Sequence, residues 1–513
     1  MLYPIGIQNF EKLRDAGCIY IDKTRKIYEL ARTNGYVFLS RPRRFGKSLL
    51  VSTMEAYFSG RKDLFTGLDI SSLEQDWIEY PVLHLDFTGS RYSEESTLNA
   101  ALEQQLRNWE KKYGIVPEFD DYAARFKDVI DAAYAMTGRK VVILIDEYDK
   151  PIVDTIGDGE LQEYNKNVLQ GFYSVMKAKD GCIRFGFLTG VSKIGKLSVF
   201  SGLNNLMDIS LDREYSDICG ISESEMDRYF SGSVTEMASA AGLTDEDCRR
   251  KLKLMYDGYH FSENSPGMYN PFSLLNALRS KQFGEYWFET GTPSMLVRVI
   301  QGTSYDITRL SGDEADSSLL SGTNTLFENP VPLMYQTGYL TIKGYDPEFG
   351  IYTLGFPNLE VKDGFLNFIL NYYAPVQSES TAALIVRMTR DLQNGKPDSF
   401  MHRLEALFSR TSYQIQGDCE KDFQYAMYII FELMGEYVRV ERATSNGRID
   451  VTVETENFIY IIEVKVDRSP EEALSQIEDK HYARPFADDC RKIFKIGVNF
   501  STSERCIDGW KIS

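Results

Sequence analysis

YVFLSRPRRFGKSLL, residues 36–50, decides the fold of the N-terminal half. An apolar run enters a turn containing Gly46, and Lys47-Ser48 opens a second apolar segment, as when a buried strand feeds a helix through a tight loop. Such a loop turns several backbone N–H groups and the positive end of the helix dipole toward one point, which suits a nucleotide phosphate. Arg43, Arg44 and Gly46 fall within the loop and are expected to bind the nucleotide with it. Lys47 is spaced to reach the β- and γ-phosphates, and Ser48 to coordinate Mg²⁺. One position departs from G-x-x-x-x-G-K-[ST]: Arg41 stands at the first Gly, a bulky residue that resists positive φ. A plain strand–turn–helix connection has the same pattern, so a second segment must decide.

That segment is VVILIDEYD, residues 141–149, an apolar run ending in acids. It reads as a buried parallel strand presenting Asp146 and Glu147 beside the phosphate loop. Asp146 is placed to hold Mg²⁺ through water, and Glu147 to orient the water that attacks a γ-phosphate. Either segment alone passes for a core strand with solvated ends; together they favour a nucleotide site. Further strands are expected over 82–87, 183–189 and 206–211, with helices over 47–59, 99–113 and 121–136 between them. Strands alternating with helices give a parallel α/β sheet whose ligand crevice lies at the C-terminal strand ends. Thr189, ending one strand, either senses the γ-phosphate or serves as a helix cap or turn hydroxyl. Residues 1–33, with Phe10, Leu13, Ile19, Tyr20, Ile27 and Leu30 loosely spaced, either cover a bound adenine or pack as helix and turn.

A chain of 513 residues exceeds one hydrophobic core, and roughly three domains are expected. The net charge of −18 argues against a broad basic surface for nucleic acid, leaving only a local, metal-assisted contact. Seven scattered cysteines, without C-x-x-C spacing, indicate neither a disulfide framework nor a zinc cluster. No apolar run approaches the ~18 residues of a membrane span, and the first residues lack signal-peptide character, which fits a cytoplasmic location. Beyond residue 221 the pattern turns helical and aromatic, and His260 among aromatics reads as a packed histidine. Residues 302–324 read as a mobile connection. After them a helix and a hairpin closed at 346–350 outline a winged-helix unit, and residues 414–419 look like a linker.

RIDVTVETENFIYIIEVKV, residues 448–466, carries a second chemistry. With Glu456-Asn457 as the turn, Thr455 faces Phe458 and Asp450 comes directly opposite Glu463. Period-two alternation places Lys465 on the face of Glu463. Two carboxylates and an ammonium on one patch suit a Mg²⁺ or Mn²⁺ site with a lysine that holds water. The plainer alternative, a cross-strand salt bridge, leaves Asp450 without a partner. Helices are expected at 420–434 and 470–482. Glu420 is a candidate outer metal ligand or a dipole-favoured acid of a first helical turn. Gln476 either touches the scissile phosphate, orients Lys465, or lies on the surface, and Tyr482 is a further candidate.

RRFGKS, LIDEYDKPI, FLTGVSKIGKLSVFSGLNNL and YNPFSLL resemble the AAA-ATPase-like group of prokaryotic proteins, while GRIDV, IIEVKV and ALSQIEDKHY resemble its C-terminal PD-(D/E)XK nuclease-like domain. The resemblance covers nearly the whole chain. It implies an α/β fold: a P-loop NTPase parallel sheet over 1–220, a helical and winged-helix-like region over 221–410, and a nuclease-like α/β domain over 411–513. It further implies that Lys47, Ser48, Asp146 and Glu147 serve ATP and Mg²⁺, and that Asp450, Glu463 and Lys465 form the nuclease core with Glu420 ahead of them. Arg41 departs from the pattern, as does Gln424, which stands where related domains often carry His. The leading expectation is an ATP-controlled, Mg²⁺-dependent nuclease acting on nucleic acid. Its rival is an ATP-dependent switch whose nuclease fold has become a binding module. A homo-oligomer would let a neighbouring copy lend an arginine, with Arg213 and Arg228 as candidates.

Overall fold

The computed structural model describes residues 2–33, 35–200, 202–203, 205–288, 293–303, 305–310, 312–322, 329–374, 381–409, 419–435, 439–445 and 448–513. Two short helices, α1 (Phe10–Asp15) and α2 (Thr24–Ala31), lead into strand β1 (Tyr36–Ser40). Then follow α3 (Lys47–Phe58), β2 (Val82–Asp86), α4 (Glu95–Tyr113), α5 (Tyr122–Thr137) and β3 (Val141–Asp146). Helix α6 (Gly159–Ala178) and strands β4 (Ile183–Gly190) and β5 (Leu206–Asp208) complete this layer. The strands are all parallel, in the order β2-β3-β4-β1-β5. Every residue of β1 and β3 is buried, as two-sided helical cover requires of central parallel strands. One strand, β4, therefore separates the phosphate loop after β1 from the acids after β3. Strand β5 is shorter than expected, ending at Asp208, whose carboxylate pairs with Lys193 at 2.9 Å and Lys196 at 2.5 Å.

Helices α7 (Glu223–Ala241), α8 (Asp245–Tyr256) and α9 (Pro271–Ser280) enclose a core of Met226, Phe230, Leu252, Tyr256 and Leu274. Each start is fixed locally. Ser222 and Glu225 form a capping box, Thr244 caps α8, and Asn270 caps α9 with proline in its first turn. Tyr3, Ile5, Ile19 and Ile21 pack against this same core, so the sequence beyond residue 220 shares apolar contacts with the chain's beginning. His260 is packed as expected, its Nδ1 2.7 Å from the Ser265 carbonyl oxygen.

Strand β6 (Glu314–Asp316), helix α10 (Val331–Thr337) and strands β7 (Thr341–Asp346) and β8 (Ile351–Gly355) form a small antiparallel sheet ordered β6-β8-β7. The Gly350 N–H donates to the Asp346 carbonyl at 2.8 Å, closing the anticipated hairpin. Strand β6 arises within the stretch expected as a mobile connection. Ala315 is buried opposite Tyr352, and the Asp316 side chain caps the next helical turn. Residues 304, 311 and 323–324 of that stretch lie outside the described residues.

The chain divides into two compact units, Met1–Lys362 and Asp363–Ser513, with the division inside α11 (Leu359–Tyr373). The core around α7–α9 also takes in the chain's beginning, so residues on either side of 220 belong to one unit. In the second unit α12 (Thr381–Gln393), α13 (Pro397–Ser409) and α14 (Cys419–Met434) precede strands β9 (Arg439–Ser445), β10 (Arg448–Glu454) and β11 (Phe458–Val466). Helix α15 (Pro470–Asp479) and strands β12 (Lys492–Ser501) and β13 (Cys506–Ile512) follow. The order is β9-β10-β11-β12-β13, with β11 and β12 parallel and the other pairs antiparallel. The expected hairpin is thus the middle of a larger sheet. Of the linker expected at 414–419, residues 414–418 lie outside the described residues, and Cys419 opens α14.

Gly497 of β12 sits opposite Glu463, and a Cβ there would meet the Pro470 carbonyl oxygen at 2.2 Å and the Leu474 nitrogen at 2.9 Å. Glycine is what lets α15 lie down on the sheet. Gly497→Ala is expected to destabilise the second unit by about 1–3 kcal/mol, read from the denaturant midpoint of the full chain.

Candidate nucleotide and nuclease sites

Gly46 has φ 93°, a left-handed conformation that turns the chain sharply from β1 into α3. Arg44, at φ 67°, contributes to the same turn, and its guanidinium lies over the Phe272 ring at 4.9 Å. Arg41 needs no such conformation. Its side chain, 1% exposed, runs under the loop and donates to the carbonyls of Ser40 (2.9 Å), Ser210 (2.8 Å) and Tyr215 (3.1 Å). The Phe261 ring lies 4.1 Å from its guanidinium. The bulk anticipated as an obstruction is therefore used as a support beneath the loop. Lys47, 6% exposed, donates to the carbonyls of Arg41 at 2.9 Å and Pro42 at 3.0 Å.

Asp146 ends β3 in register with Asp86 of β2, and its Oδ1 accepts the Glu147 N–H at 3.0 Å. Glu147 takes φ 51°, so the chain turns sharply just past the strand. Burial pushes both carboxyls up from the ordinary range, opposed by the Lys47 charge. Burial also pulls the Lys47 ammonium down, opposed by Glu147 and Asp146. Lys47, Ser48, Arg43, Arg44, Gly46 and Glu147 all line one cavity of about 430 Å³. Residues 4–8 and 19–21 form one wall, and Pro271, Phe272 and Leu275 of α9 another. Of the first 33 residues, Phe10, Leu13, Ile27 and Leu30 pack inward as the helix-and-turn alternative has it, and the stretches on either side of α1 line the cavity. Thr189 is not brought to it. Its fully buried hydroxyl donates to the Leu39 carbonyl at 2.9 Å, within the sheet.

In the second unit Asp450 pairs directly with Glu463 across β10 and β11, and the Thr455 N–H donates to the Phe458 carbonyl at 2.9 Å. The Glu463 side chain is 0% exposed, and its Oε1 accepts the Lys465 ammonium at 2.6 Å. Lys465 also donates to Gln476 Oε1 of α15 at 2.5 Å, the orienting contact anticipated from sequence. Glu420 falls in the first turn of α14, but the side chains of Glu420 and Asp450 lie outside the described residues. Tyr482 packs against the apolar cluster of Ile459, Ile461 and Ile477.

Residues 4–200 match the family described as "Predicted AAA-ATPase", and residues 418–510 match the PD-(D/E)XK nuclease superfamily. A protein of Azotobacter chroococcum mcd 1, named "Uncharacterized protein in vnfD 5'region", is 36% identical over 525 residues, covering 99% of this chain and 98% of the relative. This chain belongs to the AAA-ATPase-like family.

Two groups in the AAA-ATPase-like unit went unassigned at the sequence level. Asp149, inside the quoted LIDEYD motif, accepts from Val191 N (3.2 Å), Ser192 N (2.7 Å) and Ser192 Oγ (2.7 Å), tying the chain after β3 to the chain after β4. Trp287 donates its indole N–H to the Arg43 carbonyl at 3.0 Å, and its backbone N–H to Glu360 Oε1 at 2.6 Å. Nothing in the local sequence around residue 287 signals a partner so distant along the chain. Asp149 carried the weaker signal of a third acid in a short motif. Burial raises the Glu360 carboxyl to about 7 from an ordinary 4.5. The folded chain therefore holds this proton more tightly than the unfolded chain, and stability falls as pH rises from about 4.5 to about 7. Glu360→Gln, which keeps an acceptor for Trp287, is expected to flatten that part of the stability–pH curve, measured by denaturation of both proteins from pH 4.5 to 8.

Proposed function

We propose that this chain is an ATP-controlled nuclease: residues 1–220 bind and hydrolyse ATP, residues 221–410 relay the nucleotide state, and residues 411–513 cleave a phosphodiester of nucleic acid in the cytoplasm. Among the described residues no helix is long and apolar enough to cross a membrane. Support for the nucleotide reading comes from the cavity that gathers Lys47, Ser48 and Glu147 at the C-terminal end of a parallel sheet. The buried Asp146 carboxylate beside Ser48 is the hard-oxygen chemistry that suits Mg²⁺ with a triphosphate. Ser48 and Asp146 would hold that ion, Lys47 would bind phosphate, and Glu147 would orient the attacking water.

The nuclease reading rests above all on the wholly buried Glu463 carboxylate, bonded to Lys465 and in register with Asp450. A buried carboxylate in an apolar strand is costly unless a cation answers it, and an acid directly opposite suits a divalent ion. Asp450 and Glu463 would hold Mg²⁺ or Mn²⁺, with Glu420 as an outer ligand. Such an ion supplies charge stabilisation to the phosphodiester transition state. Lys465, oriented by Gln476, would hold the attacking water, an amine kept in place by two oxygen acceptors.

The Lys465–Glu463 ion pair also favours a second reading, an ATP-dependent switch in which this fold binds without cutting. A nuclease assay across DNA and RNA, single- and double-stranded, with and without ATP and Mn²⁺, decides between them; cleavage under no condition leaves the switch. The doubly substituted Asp450→Ala, Lys465→Ala chain is expected to lose metal-dependent cleavage by roughly a hundredfold or more while binding ATP as before. Glu147→Gln is expected to lower ATP turnover by about 10²–10⁴-fold and to accumulate the ATP-bound form, measured by single-turnover hydrolysis and nucleotide retention.

A further inference from the structure

The phosphate loop carries arginines at positions 41, 43 and 44, and the structure gives each a different place. Arg41 lies under the loop, bonded to the carbonyls of Ser40, Ser210 and Tyr215. Arg44 rests on the Phe272 ring, on the wall formed by α9. Arg43 lines the large cavity with Lys47 and Glu147, and also a small adjoining one of about 50 Å³ walled by Glu147, Asp149, Ser192 and Trp287. Arg43, Glu147 and Lys150 are the residues common to both spaces, and the Lys150 ammonium is bonded to Asp154 at 2.8 Å. Arg43 and Glu147 thus line the same two adjoining spaces, and Arg43 lies within the electrostatic reach of the Glu147 carboxyl. Its backbone is pinned there by the buried Trp287, whose indole N–H meets the Arg43 carbonyl at 3.0 Å.

We propose that Arg43 is a catalytic arginine supplied in cis, contacting the γ-phosphate during ATP hydrolysis, and that Trp287 is its positioning residue. This rests on the nucleotide reading above. In the reaction a bond forms between the water oxygen and the γ-phosphorus as the bond to the β–γ bridging oxygen breaks. The electron pair leaves with ADP, and the water's proton passes to the released phosphate. Charge on the transferring oxygens is what a guanidinium fork meets in paired hydrogen bonds. An arginine so placed is worth about 10³–10⁵-fold in turnover. With Arg43 in the loop itself, hydrolysis does not require an arginine from a second copy, contrary to the role foreseen for Arg213 or Arg228.

The test uses the full-length chain with a fluorescent ATP analogue for binding and phosphate release for turnover. Arg43→Ala is expected to bind the analogue about as tightly as the wild type while kcat falls by roughly 10³-fold. Arg43→Lys, which keeps charge but loses the fork, is expected to stay at least about tenfold down. Trp287→Phe is expected to lower kcat by roughly 10- to 100-fold with KM held and the chain still cooperatively folded at the assay temperature, the split expected of misplacement rather than misfolding. Mixing Arg43→Ala with Lys47→Ala decides cis from trans, because the second chain offers an intact Arg43 but lacks the phosphate-binding lysine. No recovery of turnover is expected, and recovery would overturn the cis assignment. Wild-type turnover in Arg43→Ala also overturns it while leaving nucleotide binding intact. Failure of the wild type to bind the analogue overturns the nucleotide reading, and this assignment with it.

Discussion

An ammonium taken almost wholly out of water needs oxygens around it, and Lys47 finds them in the carbonyls of its own loop, Arg41 and Pro42, at 2.9 and 3.0 Å. Desolvation weakens its hold on the proton, and the acids after β3 restore it in part. Those acids are strained the opposite way by the same burial. Lys47 and Glu147 are thus each poorly solvated and face a common cavity, with Asp146 buried beside Ser48 at its wall, so a ligand bringing both phosphate charge and a divalent ion satisfies both sets at once. The parallel sheet thus holds unlike charges together at its C-terminal edge.

The second unit answers the same constraint with different parts. Glu463 lies between Ile462 and Val464 in a buried strand, and the cation that answers it, Lys465, comes from two residues further along the same face. Gln476 of α15 completes the arrangement from above the sheet, and Gly497 allows that helix to come close enough to do so. Packing and electrostatics are therefore one problem here: the helix must approach before the lysine can be oriented.

What could be read from sequence followed the range of the interactions. The pairing of Asp450 with Glu463 depends on a turn and a period of two, both local, and could be counted along the chain. The phosphate loop and the acidic strand were likewise legible, each as an apolar run with chemistry at its end. Strand β9, RVERATS, was not: it is a polar edge strand without alternation, and only its partner β10 makes it a strand. The destination of the Arg41 side chain was hidden for a related reason, because its acceptors at Ser210 and Tyr215 are set by the fold and by nothing near residue 41. Thr189 is open, in sequence, between a ligand and a structural hydroxyl. Its place at a strand end suggested a ligand, whereas the neighbouring strand's Leu39 carbonyl had already taken its hydroxyl.

Arg41 joins the exit of β1 to chain that follows β5, across the edge of the sheet. The loop above it is consequently not a free hinge but part of the same mechanical piece as the sheet margin. Its shape is settled when the chain folds, with the entropy of ordering already spent, so a triphosphate would enter a finished receptacle. The reorganisation left to binding would fall to side chains, foremost the Lys47 ammonium, which must leave the Arg41 and Pro42 carbonyls to meet phosphate.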